Sequence, residues 1–212
     1  MVYLRRAAAA ACVVLVAVAG CGGGKTRYTA PHAPRPASGA APWPAPSNPL
    51  ERTRLAGLTP ETHEFFLYHV HAHLDVFVNG NLVSVPAGIG INIQDPAVHR
   101  FAEPDGTVGY GGISPPCKHP CISPLHTHDD FGILHTESKR TRPNRLGQFF
   151  VEWGVRLDRS CVGGYCKPRD AIAVFVDGER HAGDPRDITL TDKKEIAIVI
   201  GSPPSSIPSK FP

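Results

Sequence analysis

Histidine recurs at every second position in Tyr68-His69-Val70-His71-Ala72-His73-Leu74-Asp75. Three more histidines crowd into Leu125-His126-Thr127-His128-Asp129-Asp130-Phe131-Gly132-Ile133-Leu134-His135-Thr136-Glu137. Neutral imidazole offers a lone pair to Zn(II), Cu(II) or Fe(II), and a nearby carboxylate can complete or support such a site. A wet sheet face would ordinarily carry Thr, Lys, Arg or Glu, so coordination accounts for these choices better than polarity does. A histidine pH sensor would need no shared face and is the weaker reading. The only methionine is Met1, and the cysteines are expected to be oxidised, which disfavours blue-copper and Met-rich Cu(I) sites. The expected ion is Zn or Cu ahead of Fe.

The spacing matters because strand side chains alternate between faces. His69, His71, His73 and Asp75 share one face of a strand, and Tyr68, Val70, Ala72, Leu74, Val76 and Val78 share the other. His69 and His73 would lie about 13 Å apart, so His71 with one neighbour is the most this strand can offer a single ion. The second stretch reads as a hairpin of Leu125 to His128 and Ile133 to Glu137, closed by Asp129 to Gly132. With a two- or four-residue loop, His126 opposes His135, His128 opposes Ile133, and Pro124 opposes Glu137. His126, His128 and His135 then share a face, with opposed Cβ atoms about 4.5–5.5 Å apart, while Leu125, Thr127, Leu134 and Thr136 pack behind. The expected site is His126, His128 and His135, completed or flanked by His71 and His73. His69, Asp75, Asp129, Asp130 and Glu137 stand ready to hydrogen-bond the ligands or serve as a base, and none of them stands out as catalytic.

These residues need a scaffold, and the surrounding pattern is mostly β. Phe66 to Val78 reads as a strand, Asn79-Gly80 as a type I′ turn and Asn81 to Val85 as the return strand. Val174-Phe175-Val176-Asp177-Gly178 repeats that solution. Ala171 to Val176 and Glu195 to Ile200 have the apolar, β-branched character of central strands. One helix is expected from Arg145 to Trp153, with Asn144 as its cap, Gly154 as its stop, and Leu146, Phe150, Trp153 and Leu157 at helical spacing. The fold class is therefore mainly β: a compact antiparallel sandwich or small barrel with one short helix.

The 212 residues divide unevenly. Residues 1–20 carry Arg5 and Arg6, an uncharged Ala/Val run and small residues, the pattern of a secretory signal too short for a comfortable membrane span. Val18-Ala19-Gly20-Cys21 resembles a bacterial lipobox, which implies lipid on Cys21 and anchoring to the membrane. Residues 21–60 are rich in Ala and Pro and read as a tether, leaving residues 61–212 as the β-rich domain with a frayed proline-rich tail. Loss of Arg5 and Arg6 leaves 20 basic residues against 19 acidic ones, a balance with no electrostatic footprint for nucleic acid. Cys117, Cys121, Cys161 and Cys166 remain after Cys12 and Cys21 are set aside. In an oxidising compartment they are expected to form two disulfides of open connectivity, in preference to a four-cysteine zinc site.

The motifs His71-x-His73-Leu74, Leu125-His126-Thr127-His128-Asp129, Gly132-Ile133-Leu134-His135-Thr136-Glu137 and Leu146-Gly147-Gln148-Phe149-Phe150-x-x-Trp153-Gly154 resemble those of an uncharacterised family of exported bacterial and archaeal proteins. The resemblance spans about residues 66–201 and implies export without implying a reaction. Three functions follow in order of preference: a lipid-anchored, extracytoplasmic domain for metal capture, buffering or delivery; a zinc or iron enzyme using the same ligands; and an envelope interaction module whose histidines are incidental.

Overall fold

A computed structural model describes residues 35–102 and 104–212; the expected signal peptide, Cys21 and the first part of the tether lie outside the described residues. The chain is mainly β. A short helix, α1 (Pro49–Leu55), precedes the long strand β1 (Tyr68–Val78), which turns at Asn79-Gly80 into β2 (Asn81–Val83). Asn79 and Gly80 take φ of 50° and 79°, as a type I′ turn requires at both central positions. The loop region then folds a small hairpin of β3 (His99–Ala102) and β4 (Val108–Gly111). It is followed by β5 (Leu125–His126), β6 (Ile133–Ser138) and the helix α2 (Leu146–Trp153). A hairpin of β7 (Cys161–Val162) and β8 (Tyr165–Cys166), then β9 (Ile172–Val176), β10 (Glu179–Arg180) and β11 (Lys194–Ile200) complete the chain.

Seven strands form one sheet in the order β10-β9-β11-β1-β6-β5, with β2 also on β1. One edge of β1 is shared: β6 pairs with Tyr68 to His73 and β2 with Val76 to Val78, while the Leu74 amide between them donates to Gly132 O. The sheet is mixed and no closed barrel forms. The antiparallel expectation fails at the centre, where β1 and β11 run parallel from Ala72↔Lys194 to Val78↔Ile200. Parallel neighbours need a long crossover, and residues 79–193, with α2 among them, lie between the two strands in the chain. Pairing between residues more than a hundred positions apart leaves no local trace in a sequence.

Alternation along β1 divides the two faces as expected. Ala72, Leu74 and Val76 are buried in one core with Leu134, Ile196 and Ile198, under Phe149, Phe150 and Trp153 of α2. The helix stops at Gly154 in the left-handed conformation, but its start differs from expectation. The Arg145 amide, not that of a residue capped by Asn144, donates to the Gln148 side chain, while buried Asn144 bonds Thr136 Oγ1 at 3.3 Å. Asn144 thus ties the helix start to β6.

Two expectations about the termini need correction. The tether was expected to extend to residue 60, yet the domain begins well before Glu61. Ala37 pairs with Val155, and Trp43 is 2% exposed, edge-on to Trp153 and Tyr165 at 5.7 and 6.3 Å between ring centroids. Proline-rich composition hid a single large apolar anchor and a second helix, α1. The C-terminal segment is also not frayed: Ile207 packs on Phe77, Phe175, Ala197 and Val199 on the sheet face opposite α2. The cysteines pair locally, Cys117 with Cys121 and Cys161 with Cys166, which rules out the four-cysteine zinc site. Trp43→Ala in the full chain should lower the unfolding free energy by about 3–5 kcal/mol, the range for emptying a large aromatic site. Urea denaturation reads it, and a loss below about 1 kcal/mol, ordinary for a surface position, would mean that the segment does not dock.

Candidate metal centre

Strand β6 lies between β1 and β5, and its register lines up three histidines. His135 pairs directly with His71 on one side and with His126 on the other. Directly paired residues face the same way, so these three form a row across three strands, on the face away from α2. One step along, Glu137 pairs with His69, and its amide donates to Pro124 O. The expected register of the second hairpin is therefore the observed one, with Leu125, Thr127, Leu134 and Thr136 fully buried behind the row.

His128 reaches the row by a different route. β5 ends at His126, and a six-residue connection, Thr127 to Gly132, replaces the tighter loop expected. The Thr127 backbone turns away to bond Gly88 and Ile89, and His128 O accepts the Tyr110 amide at 3.0 Å. His128 is thus held by the end of β4 instead of opposing Ile133. Gly111 makes this approach feasible, because a Cβ there would collide with the His128 ring. The His128 ring lies 4.3 Å from that of His135 and 4.7 Å from that of His126.

The hydrogen bonds assign the ring nitrogens. A carbonyl only accepts, so His126 Nδ1–H donates to Ser123 O at 2.8 Å and His128 Nδ1–H donates to Tyr110 O at 2.6 Å. In the neutral tautomers this leaves both Nε2 atoms as lone pairs, 3.3 Å apart. Two lone pairs so placed repel unless a cation or a proton stands between them. Fixing the far nitrogen of a ligating imidazole on a backbone carbonyl is how proteins orient metal-bound histidine. Ligand atoms about 2.0–2.2 Å from one ion lie about 3–3.5 Å from each other, and the His126–His128 separation falls in that range.

Glu137 sits among these rings, 4% exposed. Its Oε1 is 3.2 Å from His135 Nδ1, 3.3 Å from His69 Nε2 and 3.9 Å from His128 Nε2. Its Oε2 is 3.9 Å from His126 Nε2 and has no hydrogen-bond partner. Burial would raise its pKa, but the nearby His128 ring, the hydrogen bond from His135 and the other surrounding imidazoles hold it well below the usual carboxylate range. Burial, then the His128 charge, push His126 far down; burial similarly lowers His135, and burial with His69 lowers His71. His128 alone among the ring pair goes up: burial opposes its charge, but Glu137 and the Tyr110 carbonyl outweigh that. Of the two facing rings, His128 is thus the better base and His126 the poorer one.

Among the described residues three groups of donors could each hold a metal ion, with ligand atoms in each within 4.8 Å of one another, and two of them share residues: His126, His128, His135 and Glu137; and His69, His71, His135 and Glu137. His69 and Glu137, expected only to support the ligands, are in the sets themselves. His73, expected as a ligand of the same site, is not. Its Nε2–H donates to Phe131 O at 2.8 Å and its Nδ1 meets Glu195 Oε2 at 2.8 Å, with Asp75 Oδ2 at 3.9 Å. His73, Asp75 and Glu195 form a separate cluster, one pairing step along β1 and on its other side. Burial raises both carboxyls there; His73 also rises, the Glu195 and Asp75 contacts outweighing its burial. Asp129 joins neither group and closes the loop by accepting the Phe131 amide, and Asp130 accepts from Ser84 Oγ at the long distance of 3.4 Å.

Glu152 escaped the sequence reading, although a charged residue inside Phe149-Phe150-Val151-Glu152-Trp153 was its signal. It is fully buried on α2 and accepts the Ser123 hydroxyl at 2.5 Å, behind the carbonyl that orients His126. Burial, only partly offset by Ser123 and Thr53, pushes its carboxyl up to about 8. The unfolded chain releases this proton near 4.5, so the folded state binds more protons between those values and loses stability as pH rises through them. In the chelator-treated full chain, Glu152→Gln should gain stability over the unsubstituted protein progressively from pH 5 to pH 8, a comparison in which the opposing titration of the buried histidines cancels. The expected difference is on the order of a few kcal/mol at pH 8; parallel melting curves would show that Glu152 ionises freely in the fold.

No family model, curated protein or solved structure matches this chain. The described residues contain no helix long and apolar enough to cross a membrane.

Proposed function

We propose that this protein is an extracytoplasmic lipoprotein that binds a transition-metal ion at His126, His128, His135 and Glu137, for capture, buffering or delivery at the cell envelope. One observation carries the metal reading: the opposed Nε2 atoms of His126 and His128, each on a ring whose other nitrogen is committed to a backbone carbonyl. Three imidazoles and one ionised carboxylate are a donor set for Zn(II) or Cu(II) before Fe(II). The four cysteines of the domain stand in two disulfide pairs and offer no competing thiolate.

Those disulfides also hint at an oxidising compartment. The lipobox-like segment at Val18 to Cys21, and the exported family that the motifs resemble, support anchoring outside the cytoplasm. Exchange suits a carrier, and the cluster has a solvent side: the His69 side chain is 38% exposed while His126 is fully buried. An ion can enter at His69 and reach the inner ligands along β6.

Metal content by mass spectrometry tests this, on the full chain exported with its own leader and purified without chelator or His-tag. At least about one equivalent of a single metal is expected, lost in His126→Ala/His128→Ala while circular dichroism is retained. Protons compete for the same imidazole nitrogens, so affinity should weaken as pH falls from 7 to 5. No metal as purified, and no uptake when Zn, Cu and Fe are offered, would leave the histidines as a polar face and favour an interaction module.

A further inference from the structure

The ligand cluster contains more donors than one ion can use. Six groups face it, yet they do not gather into a single group; they fall into two sets that share His135 and Glu137. One octahedral ion with bonds of about 2.1 Å would need all its donors within about 4.2 Å of each other. The two sets instead have the symmetry of a pair. His126 and His128 present Nε2 atoms 3.3 Å apart on the β5 side, and His69 and His71 present Nε2 atoms 2.9 Å apart on the β1 side. The members of each pair are two residues apart in the chain, and β6 runs between the pairs carrying both shared groups.

Resting on the metal reading above, we infer that the cluster is a two-ion centre, one ion held by His126 and His128, the other by His69 and His71, with Glu137 bridging and His135 between them. The Glu137 carboxylate is placed for this role. Oε1 lies 3.3 Å from His69 Nε2 and 3.9 Å from His128 Nε2, and the unpartnered Oε2 faces His126 Nε2 at 3.9 Å, so the one carboxylate reaches both pairs. Adjacent strands are about 4.8 Å apart, so β1 and β5 hold their histidine pairs on opposite sides of β6. The two positions are unequal. His126 is fully buried and its pair is braced by two carbonyls, whereas His69 is over a third exposed. A second divalent ion also enters against the charge of the first. The inner ion therefore binds tighter, and the outer one is the exchangeable one.

Titration of the metal-depleted full chain with Zn(II), in competition with a chromophoric chelator, tests the inference. Two equivalents are expected, the second at least tenfold weaker. His69→Ala/His71→Ala should retain only the tight equivalent, and Glu137→Gln should weaken both. With Cu(II) as the probe, the integrated electron paramagnetic resonance signal per copper should fall on going from one to two equivalents, because adjacent ions couple. That reading uses the unsubstituted chain and so does not depend on any variant folding. A single equivalent would overturn the two-ion centre and leave the metal reading intact; no binding would overturn both. Two uncoupled equivalents, with the second lost in Glu195→Gln and kept in His69→Ala/His71→Ala, would overturn the inference by moving that ion to His73, Asp75 and Glu195.

Discussion

The register of β6 between β1 and β5 is the constraint on which the metal centre depends. Because side chains alternate with a period of two, a slip of one residue would send His135 and Glu137 to the core face and bring Leu134 and Thr136 out. That slip is opposed from behind. Leu134 and Thr136 are fully buried, Thr136 Oγ1 accepts from buried Asn144, and the Glu137 amide is bonded to Pro124 O. The apolar face of the sheet, pressed on α2, thus fixes the imidazole face that it never touches.

That arrangement creates an electrostatic tension at the site. Five imidazoles and one carboxylate stand close together, three of the rings largely buried, and burial disfavours charge on each ring. A single negative charge on Glu137 attracts cations to a place where the rings themselves avoid protonation. Among these rings His128, which faces both His126 and Glu137, is the one whose basicity is raised. A metal ion resolves the tension better than a proton, since it satisfies several lone pairs at once where a proton satisfies two.

Much of the centre was legible because alternation is a strong local signal. His126 and His135 could be placed opposite each other from spacing and a correct loop parity, whereas the pairing that brings His71 beside His135 joins residues 64 positions apart and left no local signal. His128 came to the right place for a different reason: the loop is longer than expected, and Tyr110, eighteen positions earlier, holds it by backbone bonds that no periodicity announces. His73 was misplaced because strand spacing says which residues share a face but not which neighbouring strand each will meet. Its partner Glu195 lies on β11, 122 positions away. Trp43 and α1 were hidden by proline, whose effect on composition outweighed one tryptophan and seven helical residues.

The separation of His73 from the metal centre has a physical logic. β1 meets β6 on one edge and β11 on the other, and its histidine face is consequently shared between two environments. His69 and His71 look toward β6 and its carboxylate, while His73 finds Glu195 on β11 and the Phe131 carbonyl at the loop. With both ring nitrogens bonded to protein acceptors, His73 can hold its proton as an imidazolium, which makes it a cross-link between β1, β11 and the connection that carries His128. Farther along, the same face turns apolar at Phe77 and Val199 and is covered by Ile207. One strand therefore grades from open coordination at His69, through a buried ionic lock at His73, to packed hydrocarbon at Phe77. The gradient makes the His69 end the most exposed part of the histidine cluster, with His128 and His135 at 17% and 15% side-chain exposure farther in.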